Sequence, residues 1–276
     1  MKFAKTEFSI IEQEKGLTGI YKHIEFINKM LYNSKDKVNE NNFYKILDEI
    51  VNKGYTSLLE HITIYLYSRQ EDWDTDNDGY VIYISDLDHY KKNKYSYFYC
   101  GYVTTNLKVL VDNNWLHDLK YLCKPTKYHK QRKTIKLICD KYIASEFSKQ
   151  KDFVFDEKQI CYNDELTFII PSCTKLKCVD YSYYDGSQQD WFELSQGEKT
   201  FINICNDIQI YYRMLTICCN CDYQDVSYIL SNSLKTEIIM TGFVSDWKKL
   251  LNKNYPNISG NLKNLIKEMN KLKIFK

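Results

Sequence analysis

The sequence predicts an α+β fold: one domain spanning residues 1–276, with a mixed sheet flanked by helices and long helices toward the C-terminus. Three observations carry this. Apolar residues recur at three-to-four spacing in early segments and again after Gln189, as amphipathic helices require. Short alternating or β-rich runs bounded by turn residues lie between them. The chain has 276 residues, 44% hydrophobic and 15% aromatic, enough for a sizeable core, and its 3 Pro and 9 Gly leave no long flexible linker.

In chain order, Leu17 to Leu31 has helical periodicity, and so does Asn42 to Val51, which stops before Gly54, a residue suited to a C-cap. Ser57 is expected to cap the short segment Leu58 to His61. Ile62 to Tyr67 alternates like a strand. Glu71 to Gly79 reads as an acidic loop, followed by strand-like runs at Tyr80 to Ser85 and Tyr95 to Val103. Thr104-Thr105-Asn106 is expected to cap a helix running to Trp115. Thr134 to Cys139 is a β-rich run, Asp140 to Gln150 is helical in pattern, and Leu166 to Pro171 reads as a strand. From about Gln189 to Lys253 the pattern is helical again, with one long helix through Leu215. No internal repeat is visible.

The net charge of +2 is too small to argue for nucleic acid or a membrane surface. No apolar run is long enough to span a bilayer, and MKFAKTEFSIIEQEKG lacks the continuous apolar region of a signal peptide. A cytoplasmic protein is expected, with its ten cysteines as thiols. Arginine occurs only at Arg69, Arg132 and Arg213, and lysine supplies the rest of the 38 basic residues. Drift of composition toward lysine is the simplest reading of that skew.

Four constellations bear on chemistry. Asp74, Asp76 and Asp78 alternate before Gly79, the spacing with which a tight turn offers oxygens to a hard cation; Ser85 stands where a bidentate glutamate would complete such a loop, so an acidic hairpin turn competes with a metal site. Cys218, Cys219 and Cys221 form a crowded triple without a matching pair, so thiols around a helix end are preferred to zinc. Glu60-His61 reads alone as a polar pair at the edge of a core. Lys149-Gln150-Lys151, followed seven residues later by Gln159-Ile160-Cys161-Tyr162, holds no nucleophile–base pair and no phosphate-cradling glycines.

Taken together, several segments resemble the flavin-dependent thymidylate synthases, in particular the longer phage and bacterial type. Gly54-Tyr55-Thr56-Ser57-Leu58-Leu59-Glu60-His61 resembles the family's G-H-x-S/T-x-x-E-H element, and Tyr102-Val103-Thr104-Thr105-Asn106-Leu107-Lys108-Val109 its Y-I/V-T-T-N-x-R-V segment. Glu165 to Pro171 matches the strand after the signature. Leu234-Lys235-Thr236-Glu237-Ile238-Ile239-Met240-Thr241-Gly242-Phe243, with Ser245-Asp246-Trp247, matches the C-terminal L-K-T-E-x-x-M-T-G-F-x-S-D-W form. The likeness is clearest over residues 50–253. The signature R-H-R, seven residues, S-x-R-Y falls without a gap on Lys149 to Tyr162, but only its tyrosine is kept.

The resemblance implies methylation of dUMP to dTMP with methylenetetrahydrofolate, FAD and NADPH, in a homo-oligomer, a tetramer, whose sites are shared between subunits. It places dUMP at Lys149, Glu157, Gln159, Cys161, Ser227 and Asn254, and FAD at Ser57, Lys149, Gln150, Lys151, Glu157 and Lys249. Family arginines stand at 161, 227 and 254, where this chain has Cys161, Ser227 and Asn254. Drift toward lysine does not explain lost charge, and each hydrogen bond to a charged group contributes roughly 1.5–3 kcal/mol. Three functions follow: a synthase with a rebuilt pocket; a non-catalytic scaffold repurposed to bind another macromolecule, as in a regulatory or host-interaction protein of a phage or mobile element; or a nucleotide or flavin binder with a different substrate. None of them calls for a membrane.

Overall fold

The computed structural model describes residues 1–69, 71–75, 81–158, 166–178, 191, 193–253 and 258–272. The described strands are β1 (Lys2–Ala4), β2 (Glu7–Ile11), β3 (Thr63–Tyr67), β4 (Glu71–Thr75), β5 (Val81–Ile84), β6 (Tyr97–Tyr99), β7 (Tyr102–Asn106), β8 (Arg132–Asp140), β9 (Val154–Glu157), β10 (Thr167–Ile169) and β11 (Lys235–Phe243). The principal helices are α1 (Gly16–Tyr32), α2 (Phe43–Asn52), α3 (Ser57–Glu60), α4 (Leu107–Asp112), α5 (Lys141–Ser148), α6 (Gln196–Arg213), α7 (Val244–Asn252) and α8 (Gly260–Met269).

The central sheet has the order β2-β8-β11-β9 and is antiparallel throughout. β8 and β11 pair along their whole length, from Lys235 opposite Asp140 to Phe243 opposite Arg132. Side chains alternate across a strand, so this register assigns each residue a face. One face carries Ile135, Leu137, Ile238 and Met240, packed with Trp247, Leu250 and Leu265 of α7 and α8. The other carries Ile239, which joins the core built from α1, α2, α3, α4 and the small antiparallel sheet β3-β7-β6. A third cluster lies where β1 pairs parallel with β10 under α6.

Local chemistry starts the helices where the sequence supplies a cap. Asn106 accepts from the Val109 N–H, Asp140 from Ile143, and Ser259 from Leu262. Ser195 and Glu198 form a reciprocal capping box at α6. Such caps contribute ~1 kcal/mol each.

The α+β class stands, and several local readings change. β1 and β2 occupy an N-terminal stretch with no anticipated strands, because segments this short are stabilised by β10 and β8 and not by their own pattern. Tyr95 to Val103 is not one strand: Cys100 (φ 46°) and Gly101 (φ 77°) make a two-residue turn that folds β6 onto β7. Thr104 and Thr105 belong to β7, and only Asn106 caps α4, which ends at Asp112 before a separate 3-10 turn at Leu116–Tyr121. Glu71–Thr75 is a strand paired with β5 and not a loop. Lys235–Phe243, inside the stretch read as helical, is the central strand β11; it is buried on both faces, which erases the alternation that marks a half-exposed strand.

Gly242 of β11 sets one close approach. A Cβ there would stand 2.5 Å from the ring of Phe153, which packs edge-on against Trp247 at 4.6 Å. Gly242→Ala is therefore expected to destabilise by roughly 1–3 kcal/mol through overpacking. A urea titration would show a lower midpoint at unchanged slope; an unmoved midpoint would mean the Phe153 ring yields freely.

Candidate functional site

A buried set of polar groups converges where α3 meets the central sheet. α3 ends at Glu60, and the next side chain, His61, enters the interior with no exposed surface. Its Nε2 lies 3.1 Å from Asp156 Oδ2 and its Nδ1 2.7 Å from Thr241 Oγ1. Thr241 in turn lies 2.8 Å from Thr134 Oγ1. The register explains the convergence: Thr241 sits opposite Thr134, and Asp156 sits opposite Ile239, two residues along β11 on the same face. Arg132, on that face of β8, donates through Nη2 to the Glu60 carbonyl at 2.9 Å. Enclosure lowers its pKa to about 10, so the guanidinium is charged at neutral pH and caps the last turn of α3.

Carboxylate, imidazole and hydroxyl in this order have the connectivity of a hydrolytic triad. The arrangement does not act as one. Thr241 and His61 are both fully buried, and the Thr241 hydroxyl is shared with Thr134. No substrate carbonyl can reach the oxygen. The chain of bonds fastens α3 to β8, β9 and β11, which is the structural role anticipated for Glu60-His61. The Glu60 carboxylate points elsewhere, 3.6 Å from Lys108.

Most of the described positions that the family resemblance marks are engaged by other protein groups. Ser57 opens α3 and does not cap it; Thr56 holds the cap position without a side-chain bond, and the Ser57 side chain hydrogen-bonds Tyr32. Lys149 is exposed beyond α5 and pairs with Glu146 at 2.5 Å. Gln150 donates to the Glu146 carbonyl at 3.2 Å, and Lys151 is exposed. Glu157 accepts from Lys141 at 2.5 Å and from Thr236 at 2.6 Å. Lys249 pairs with Asp246 at 3.0 Å, and Ser227 donates to the Gln224 carbonyl at 2.6 Å. Gln159, Cys161, Tyr162 and Asn254 lie outside the described residues. Sequence reasoning missed Lys141, Thr236, Asp156 and Thr241, because nothing local marks residues that meet only through strand register.

The residues at the FAD positions are mostly engaged within the chain. Each described polar group at the FAD positions except Lys151 already has a protein partner, and none of three cavities, of about 680, 260 and 290 Å³, is lined by any of them. Nor do the metal readings gain support. Asp74 is a residue of β4 opposite Ile82, while Asp76 and Asp78 lie outside the described residues. Cys218 and Cys219 are exposed thiols beyond α6, and no cluster of metal-ligating side chains occurs among the described residues. No described helix is long and apolar enough to cross a membrane.

No family model matches the chain. No curated protein matches it. Among solved structures, the chain is similar to a UMP/dUMP methylase, PolB, from Streptomyces cacaoi bound with 5-Br UMP, at 9% identity and a TM-score of 0.41, covering 98% of this chain and 89% of that one. It is also similar to thymidylate synthase X (ThyX) from Helicobacter pylori with FAD and dUMP, at 12% identity and a TM-score of 0.36, covering 50% of this chain and 65% of that one. Solved structures similar to this chain therefore include the enzyme family that its motifs resemble.

One buried base beside the site has a measurable consequence. Burial, with the nearness of His61 and Arg132 as lesser causes, lowers the pKa of His23 to about 3, and its Nε2 has no hydrogen-bond partner among the described residues. The folded pKa lies below the unfolded value of about 6.5, so the unfolded chain binds the extra proton between them. Stability from this group is complete above pH 6.5 and falls as the pH drops toward 3. His23→Leu is expected to flatten the fall in denaturation midpoint between pH 7 and pH 4. An unchanged pH slope in the variant would show that His23 is not the titrating group.

Proposed function

We propose that this chain is a flavin-dependent thymidylate synthase-like protein that has lost catalysis and serves as a scaffold for binding another macromolecule. The observation that carries the reading is the state of Glu157. Its carboxylate is neutralised by Lys141 and held by Thr236. The same reading draws on chemistry at three further positions, where Cys161, Ser227 and Asn254 stand in place of arginines. Planar guanidinium forks match phosphate and uracil bidentately, and none of these three replacements does so. A scaffold can keep its core while losing this set, because packing and ligand recognition rest on different residues.

The scaffold is further proposed to self-associate. On α6 and the π-helical turn Met214–Cys218 that continues it, Ile204, Ile210, Tyr211, Met214 and Ile217 are all more than half exposed, Ile217 at 74%. A contiguous apolar strip on a long helix marks an interaction surface. It supports the homo-oligomer that the resemblance implies.

Flavin binding, complementation and sedimentation test these readings. Purified protein is expected to be colourless, to leave added FAD fluorescence unchanged, and to give no growth to a thymidine-requiring strain. Yellow protein releasing FAD on heating, or rescue of that strain, would overturn the non-catalytic reading. Sedimentation velocity is expected to give an oligomer that Ile217→Lys shifts toward monomer. A wild-type protein that sediments as a monomer would remove the self-association.

A further inference from the structure

The small sheet β3-β7-β6 turns one face into the core through Ile64, Leu66 and Val103. Its other face buries Thr63, Thr104 and Asn106 at one end and presents tyrosine at the other. Tyr67 stands opposite Tyr102 and Tyr102 opposite Tyr99, so three rings lie abreast across three strands. Tyr67 and Tyr102 stack at 4.4 Å. Tyr128, from the following loop, adds a fourth ring, 5.0 Å from Tyr102 and 6.3 Å from Tyr99. Burying tyrosine is favourable, yet Tyr67, Tyr99 and Tyr128 keep 39%, 49% and 42% of their surface.

Charge gathers in the same stretch. Between His89 and Lys133 the sequence holds nine lysines and Arg132 against two acids, Asp112 and Asp118, in a chain whose net charge is only +2. Lys91, Lys108 and Lys133 have carboxylate partners. Lys92, Lys94, Lys124, Lys127 and Lys130 have none among the described residues. They lie before β6 and in the loop that carries Tyr128. Lys127 and Lys94 sit over tyrosine rings, at 5.0 Å from Tyr128 and 4.6 Å from Tyr95. Glu71, Asp72 and Asp74 belong to a different, two-stranded sheet, β4-β5.

We propose that this face binds single-stranded nucleic acid, with bases stacking on the ring array of Tyr67, Tyr99, Tyr102 and Tyr128 and the lysines of the flanking segments neutralising phosphates. Every base has a flat face, so an aromatic array with cations beside it accepts a strand without reading its sequence. Unpaired lysines favour a polyanion, and the exposed rings favour one whose bases are open, which a duplex does not offer. This names the partner class for the scaffold reading and rests on it. The two fail separately: bound flavin would overturn the first and leave this surface standing.

Fluorescence anisotropy with a labelled twelve-base oligo-dT tests it on the full chain. Binding is expected at 50 mM salt and is expected to weaken steeply by 200 mM. Tyr99→Ala and Tyr128→Ala are each expected to weaken binding roughly five- to a hundredfold, while Tyr99→Phe, which keeps the ring, binds as wild type. Replacing Lys124, Lys127 and Lys130 together with serine is expected to lower affinity and reduce the logarithmic salt slope by about two. Circular dichroism matching wild type confirms that a variant has folded. Three outcomes would overturn the proposal: no binding at 50 mM salt, equal affinity for a duplex of the same length, or competition by polyglutamate as effective as that by oligo-dT. The last would point to an acidic protein surface instead.

Discussion

The pairing of β11 with β8 is the constraint on which the rest of the molecule depends. It joins residues 132–140 to 235–243, with β2 adding to one edge and β9 to the other. Two packed layers need a sheet whose faces both find partners. The register achieves this by sending Ile238 and Met240 toward α7 and α8 while Ile239 and Thr241 face the α1–α4 layer. A slip of one residue would exchange the faces and put Thr241 and Glu237 into the apolar side.

The same register decides the fate of the polar residues. Asp156, Thr241, Thr134 and Arg132 fall on one face and are drawn together around His61 and the end of α3. Buried polar groups are costly unless satisfied, and here each one named has a partner. That satisfaction is also why the cluster holds structure and does no chemistry. A nucleophile needs an approach from outside, and a cation or carboxylate that recognises a ligand needs spare bonding capacity. Glu157, Lys149 and Lys249 are each paired within the chain, to Lys141, Glu146 and Asp246.

Charge is distributed unevenly in a way that the total conceals. A net charge of +2 gave no reason to expect a polyanionic partner, because it averages the acidic run at Glu71 to Asp78 with the lysines between His89 and Lys133. Electrostatic attraction at physiological salt acts over about 8–10 Å. A local excess is therefore felt by a partner even where the whole chain is nearly neutral.

By itself the sequence determined the α+β class, the helices read at 17–31 and 42–51, the strands read at 62–67 and 134–139, and the family that its motifs resemble. Each rests on a periodicity or an ordered set of motifs that local chemistry displays. The replaced arginines were legible for the same reason, since a gapless signature shows what stands at each position. Tertiary structure alone decided that Lys235–Phe243 is a central strand, that Glu157 meets Lys141 and Thr236, that His61 is sealed between α3 and the sheet, and that Tyr67, Tyr99, Tyr102 and Tyr128 share one face. The physical reason is common to all four. A strand buried on both sides loses its alternation, and residues 79 or 180 positions apart, as Glu157 and Thr236 or His61 and Thr241 are, meet only through sheet register and layer packing.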